Sequence, residues 1–191
     1  MPEPDSTKIM SFETAKELSQ WLKLNHAVER ELWVKIFKKN SGITSVTWDD
    51  VVVEILCWGW IDGVKKSLDA NAYLQRITPR KPRSSWSKRN REHVERLIEQ
   101  KRMTESGLVH VHAAQQDGRW ENAYVASELT VPEDFLAALE HNLTAKQFYT
   151  TLTKSNRYVI AHGLSSAKKA ETRTKRFEKF MDALNREEKP K

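Results

Sequence analysis

Apolar residues recur at Phe12, Ala15, Leu18, Trp21 and Leu22, three and four positions apart. That spacing lays one stripe along a helix and predicts one over about residues 12–25. Leu32-Trp33-Val34-Lys35-Ile36-Phe37 is rich in β-branched and aromatic residues and nearly apolar on both faces, so it reads as a central strand. A polar loop with Gly42 follows. Thr47 and Asp50 then form a capping-box pattern opening a helix through Cys57, with Gly59 as its terminator. Trp60–Leu68 and Ala72–Thr78 read as two strands joined by the turn Asp69-Ala70-Asn71, an antiparallel hairpin. The first half is therefore helix, strand, helix, strand, strand, closed by Pro79 and Pro82.

From Ser87 onward the periodic segments are helical. Val94, Leu97 and Ile98 mark one helix, and Leu108, Val111 and Ala114 mark another that ends at Asp117-Gly118. Thr130-Val-Pro-Glu133 and Thr144-Ala-Lys-Gln147 are two further capping-box patterns. A last helix over about 166–184 would bury Ala170, Phe177, Phe180, Met181 and Leu184. This organisation predicts a tail at residues 1–11, an α+β domain over 12–120 and an all-helical module over 130–185. Residues 121–129 carry Tyr124, Val125 and Leu129 and lack the Gly/Ser/Pro content of a flexible linker, so the module is expected to pack on the domain.

Composition narrows the function classes. Seven Trp, six Phe and four Tyr in 191 residues supply enough apolar surface for a core, which excludes wholesale disorder. No apolar run approaches the roughly 20 residues of a membrane span, and the first ten residues have no apolar stretch of the secretory kind. Cys57 is the single cysteine, so an internal disulfide and a cysteine zinc site are both ruled out, and the expected setting is cytoplasmic. The net charge of +6 is unevenly placed: residues 79–119 carry ten Lys/Arg against five Asp/Glu, residues 120–153 one against five, and residues 154–191 eleven against five. Two basic blocks flanking an acidic one point to an anionic partner, an acidic protein surface or nucleic acid.

Four places could carry chemistry. Cys57-Trp58-Gly59-Trp60-Ile61-Asp62-Gly63 puts large rings about a glycine, either as a hydrophobic corner or as a ring-lined pocket anchored by Asp62. Thr78–Asn90 gathers Arg80, Lys81, Arg83, Lys88 and Arg89 with Trp86 just ahead of a helix amino end, where free N–H groups and arginine forks suit phosphate or carboxylate. No acidic residue falls between Asp69 and Glu92 to offset them. Arg119-Trp120 could stack a planar ligand. Arg157, Lys169, Arg173 and Arg176 form a second basic patch, the last three sharing a helix face, with Glu171 and Lys175 as a supporting pair. His110 and His112 would point to opposite sides of a helix, and no metal-ligand spacing, catalytic cysteine setting or glycine-rich phosphate loop occurs. No metal, cofactor or catalytic residue is therefore assigned.

CWGWID, the TPRKPRSSWSKRN block, ERLIEQKRMTESG, the DGRW loop and the SNRY…AKKAETR segment occur in that order. Together they resemble the YdeI/OmpD-associated family, often labelled bacteriocin-protection proteins, over about residues 12–184. Trp58 stands where the family tends to have Phe, Ala170 where it has Pro, and Ala161-His162 where an aromatic often follows. The resemblance implies an α+β fold, a small antiparallel sheet packed by helices (YjbR/CyaY-like), with a C-terminal all-helical module. It implies a role in tolerance of bacteriocins or related stress, and brings no reaction, cofactor or catalytic residue with it.

Two functions from different classes are compatible with these residues. One is a non-enzymatic binding module for an anionic group, contacted by Arg80, Arg83, Lys88 and Arg89 with Trp58, Trp60 and Trp86 as the apolar wall. The other is an enzyme whose acid–base group is Asp62, working beside Arg80 in a tryptophan-walled pocket. Burial of Asp62 with a raised pKa favours the second; an exposed, turn-capping Asp62 removes it. A sequence pI near 9.4 adds non-specific nucleic-acid binding as a weaker alternative.

Overall fold

The computed structural model describes residues 3–125, 129–167 and 169–190. The chain divides into two compact units, Met1–Ala123 and Tyr124–Lys191. The first contains β1 (Ile9–Ser11), α1 (Ala15–Asn25), β2 (Leu32–Phe37), α2 (Trp48–Cys57), β3 (Trp60–Ser67), β4 (Ala72–Pro79), α3 (Lys88–Glu99) and α4 (Glu105–Gln116). The second contains α5 (Glu133–Glu140), α6 (Leu143–Thr151), α7 (Lys154–Ser165) and α8 (Ala170–Asn185). The α+β class expected from the sequence is what the fold has. No helix among the described residues is long and apolar enough to cross a membrane.

The sheet order is β1-β2-β4-β3. β2 and β3 both run antiparallel to β4, but β1 lies parallel to β2, with Ile9 opposite Trp33. The sheet is thus mixed where an antiparallel one was expected, and residues 9–11 of the expected tail are an edge strand. Three residues, two of them exposed, carry no alternation that could announce a strand. The β3–β4 pairing slips between Asp62 and Lys65, a bulge that the Gln75 amide closes by donating to Gly63 O at 2.9 Å. Asp69 holds the hairpin turn, its Oδ1 accepting the N–H groups of Asn71 and Ala72, both at 2.7 Å.

α2 is apolar nearly all round, and such a helix must be covered on two sides. Val51 and Ile55 join Leu18, Leu22, Leu32, Val34, Ile36 and Trp60 between the helices and the sheet. Val52, Leu56 and Cys57 face the other way, against Val94 and Leu97 of α3, Val111 and Ala114 of α4, and the rings of Trp86 and Trp120. Gly59 follows α2 at φ 71°, a left-handed turn that glycine adopts without strain. A Cβ there would lie 2.5 Å from Ser106 O, so α4 is seated directly on that turn.

In the second unit Phe135, Leu139, Ile160, Leu164, Phe180 and Leu184 form a separate core. Three local expectations fail here. The Thr130 box does not form, because α5 begins after Pro132 with no side-chain cap. α6 is capped by Asn142, two residues earlier than Thr144 would place it. α8 starts at Ala170, with Ala170 exposed and Lys169 outside the helix, while residues 154–165 make α7, whose mixed polarity hides its period. Residues 126–128 of the expected connection, and Lys168, lie outside the described residues.

Candidate functional site

The segment leaving β4 is fastened at several points. The Arg80 N–H donates to Gly59 O at 2.9 Å, its guanidinium lies 3.7 Å from the centre of the Trp86 ring, and its Nη1 donates to Ser85 O at 3.1 Å. Only 4% of Arg80 is exposed, so this cation is part of the interior. Residues 81–84 form a tight turn, Ser84 N–H to Lys81 O at 3.2 Å, that forces Arg83 to φ 61° and leaves its side chain exposed. From the end of α4, Arg119 reaches across. Its Nη1 donates to Ser84 O at 2.7 Å, while its Nε sits 2.7 and 2.8 Å from the two Asp117 carboxylate oxygens. Beneath, Trp86 and Trp120 meet edge to face at 4.9 Å.

Between the turn and α4 lies an open groove of about 410 Å³, lined by Pro82, Arg83, Val109, His110, Asp117 and Arg119 among others. His110 is half-buried against Gly59, and burial pulls its pKa below the ordinary histidine range; the positive charges of Arg80 and then Arg119 pull in the same direction. His110 stands in no metal-ligand spacing with the other histidines. The usable signal was the helical phase of Leu108, Val111 and Ala114, which turns His110 toward the preceding turn while His112 stays exposed.

Arg83 and Arg119 thus line one groove, while Arg80, Trp86 and Trp120 are buried and lie outside its lining. Lys88 is exposed on the first turn of α3. Arg89 is committed elsewhere: its Nη2 donates to Asp49 Oδ1 at 2.8 Å, and its guanidinium lies 4.5 Å from the Trp48 ring centre. The tryptophans do not share one wall. Trp60 is 1% exposed in the first core and donates to His26 O at 3.1 Å, Trp58 packs on His26 at 4.7 Å, and Trp86 belongs to the second core. Asp62, at the bulge, is half-buried and accepts from Trp48 Nε1 at 3.3 Å. Burial pushes its carboxyl up, against the Trp48 hydrogen bond and the charges of Arg80 and Arg89.

The second basic patch is mostly internal bracing. Arg173 pairs with Asp134 at 2.8 Å, tying α8 to α5. Arg176 donates to Gly163 O at 2.7 Å and Ser166 Oγ at 3.1 Å, and Arg157 to Thr150 O at 3.0 Å. Lys169 stays exposed ahead of α8.

Residues 10–110 match the model of a domain of unknown function, DUF8412, which spans more than half of the chain. The chain belongs to the DUF8412 family. Residues 128–187 match a second model, described as bacteriocin-protection, YdeI or OmpD-associated. The YdeI/OmpD-associated resemblance read from the sequence therefore holds over the helical module, while the residues carrying CWGWID and the basic block fall within DUF8412. No curated protein and no solved structure matched the chain. Within the DUF8412 stretch lie Arg80, Arg83, Trp86 and His110; Arg119 follows nine residues after its end.

Proposed function

We propose that this protein is a binding module for an anionic group, received in the groove between the 81–84 turn and α4. The observation that carries the reading is the arginine cluster fixed about that groove. Arg119 is clamped between Ser84 O and Asp117, Arg83 stands in the groove lining in a left-handed conformation, and Arg80 is buried on Trp86. Donors already held in place lose little freedom on binding, and arginine offers a planar fork to phosphate or carboxylate. A non-glycine residue at positive φ is a strain often found at binding sites. His110 adds a proton acceptor whose charged form an anion would favour. Relative to the sequence reading, the primary contacts shift to Arg83, Arg119 and His110. Arg80 serves as a buried positive charge, Arg119 shares its charge with Asp117 in the groove lining, and Arg89 is paired with Asp49 and is not among the residues lining the groove. The bacteriocin-protection description of residues 128–187 supports tolerance of such agents as the setting, and the single buried cysteine suits a cytoplasmic one.

The test is a titration of the full chain with inorganic phosphate, a nucleotide and a short oligonucleotide at low and high salt. Phosphate or nucleotide should bind at low salt, weaken as salt screens the exposed Arg83, and bind several-fold less well to Arg83→Ala. Arg80→Ala would confound the result by removing a buried cation. Absence of binding at low salt, or equal binding by Arg83→Ala, overturns the reading; preference for the oligonucleotide alone transfers it to nucleic acid.

One observation favours the enzymatic alternative: burial raises the carboxyl of Asp62, as an acid–base group requires. A carbon-detected titration showing Asp62 ionising in the ordinary carboxylate range would remove that support.

A further inference from the structure

The second unit has a cavity that the anion groove does not involve. It measures about 470 Å³ and is lined by Leu129, Thr130, Val131, Leu136, Tyr149 and Tyr158 together with Lys154 and Arg157. Among the described residues no acidic side chain lines it. Lys154, the first residue of α7, is exposed and makes no ion pair among the described residues. Arg157, one turn later, is fixed: its guanidinium lies 4.9 Å from the centre of the Tyr149 ring and donates to Thr150 O at 3.0 Å. One held and one exposed cation therefore line a cleft whose remaining residues are mostly apolar or aromatic. Small-molecule sites are concave and largely apolar, with a few placed polar groups, and range from about 300 to 1,000 Å³.

We infer that this cavity binds a small organic acid, its apolar body against Leu129, Val131 and Leu136 and its carboxylate toward Lys154 and Arg157. The charge balance selects the class. The two cations that line the cavity suit an acid group, and its apolar wall disfavours a second charge, which would have to be desolvated there. The volume suits a single ring or a short branched chain. Tyr149 and Tyr158 add aromatic surface to the lining. Tyr158 keeps its proton, since burial and its hydrogen bond with Tyr124 raise the phenol, so it adds no negative charge to the cleft. The site shares no residue with the 81–119 groove, so each stands or falls alone.

The probe is phenylacetate, added to the isotopically labelled full chain and followed by amide chemical shifts. Phenylacetamide, the neutral analogue, and acetate, which lacks the apolar body, are the comparisons. Phenylacetate should shift the amides of the first turn of α7 and of residues 129–131, and bind about tenfold more tightly than either comparison, the scale of one charge-assisted contact. Lys154→Gln and Leu136→Gln both change exposed side chains, so the fold should survive, and each should weaken phenylacetate several-fold while Arg83→Ala leaves it unchanged. No shift at tens of millimolar would overturn the inference; so would phenylacetamide binding as tightly as phenylacetate, or unaltered binding by Lys154→Gln.

Discussion

Gly107 lies where α4 crosses the end of α2, and a Cβ there would sit 2.5 Å from Cys57 O and 2.7 Å from Met103 Cε. Alanine in a helix interior ordinarily gains about 1 kcal/mol over glycine. Here the sign should reverse, because Cys57 O is also the acceptor of the Thr104 N–H at 3.1 Å and hydroxyl at 2.7 Å and cannot retreat. Gly107→Ala is expected to lose about 1–3 kcal/mol, the scale of overpacking, read as a lower denaturation midpoint. Cys57 itself is 2% exposed, and burial pushes its thiol up to about 11, with the nearby Glu54 charge adding to the effect. Rapid labelling of native protein by a thiol reagent at pH 8 is therefore not expected, since the thiolate is the reactive form. His110 titrates with the opposite consequence. Its folded pKa is depressed, so protonation favours the unfolded chain, and its stabilising contribution is lost as pH falls below the ordinary histidine range near 6.5. His110→Gln should accordingly lose less stability than the native chain between pH 7.5 and 5.5. Phosphate, by favouring the imidazolium, should narrow that difference, and identical pH profiles would remove His110 from the groove chemistry.

Among elements, α2 shows most plainly what a local pattern can deliver. Thr47 and Asp50 form the expected capping box: the Asp50 N–H donates to Thr47 Oγ1 at 3.2 Å and the Thr47 N–H donates to Asp50 Oδ2 at 2.8 Å. Thr47→Ala should cost about 1 kcal/mol by thermal or chemical melting, the usual cost of losing a cap. Arg173→Ala, which removes a half-exposed pair at the surface of the second unit, should cost less, about 0.2–1 kcal/mol. β2 and the β3–β4 hairpin were legible within a residue or two, because alternation, β-branching and the Asp69 turn agree with one another. β1 was not legible, being three residues whose strand state depends on a partner more than twenty positions away. The two capping patterns that failed, at Thr130 and Thr144, had the right residue types, but the chain supplied competing starts at Pro132 and Asn142. A capping motif fixes that a helix begins nearby; tertiary packing chooses the residue.

At the scale of the whole molecule, the site was half legible for a comparable reason. The charge run at 80–89 suggests an anion-binding segment, but a run in sequence is not a cluster in space. The bend at Arg83 and the start of α3 send Arg89 to Asp49, and Arg119 arrives from thirty-odd residues further on. Every residue of the groove, and both cores beneath it, falls within Met1–Ala123, while Tyr124–Lys191 keeps a core of its own. A fragment ending at Ala123 should therefore fold, melt cooperatively and keep a mixed helix and strand spectrum. It should also bind phosphate as the full chain does, with the same sensitivity to salt and to Arg83→Ala. The organic-acid site offers the converse control, since Lys154 and Arg157 are absent from the fragment and phenylacetate should no longer bind. A fragment that folds but has lost phosphate binding would mean that the groove as drawn from residues 80–119 is not the anion site. An unfolded fragment would show that the first unit's two cores do not sustain its fold without residues 124–191.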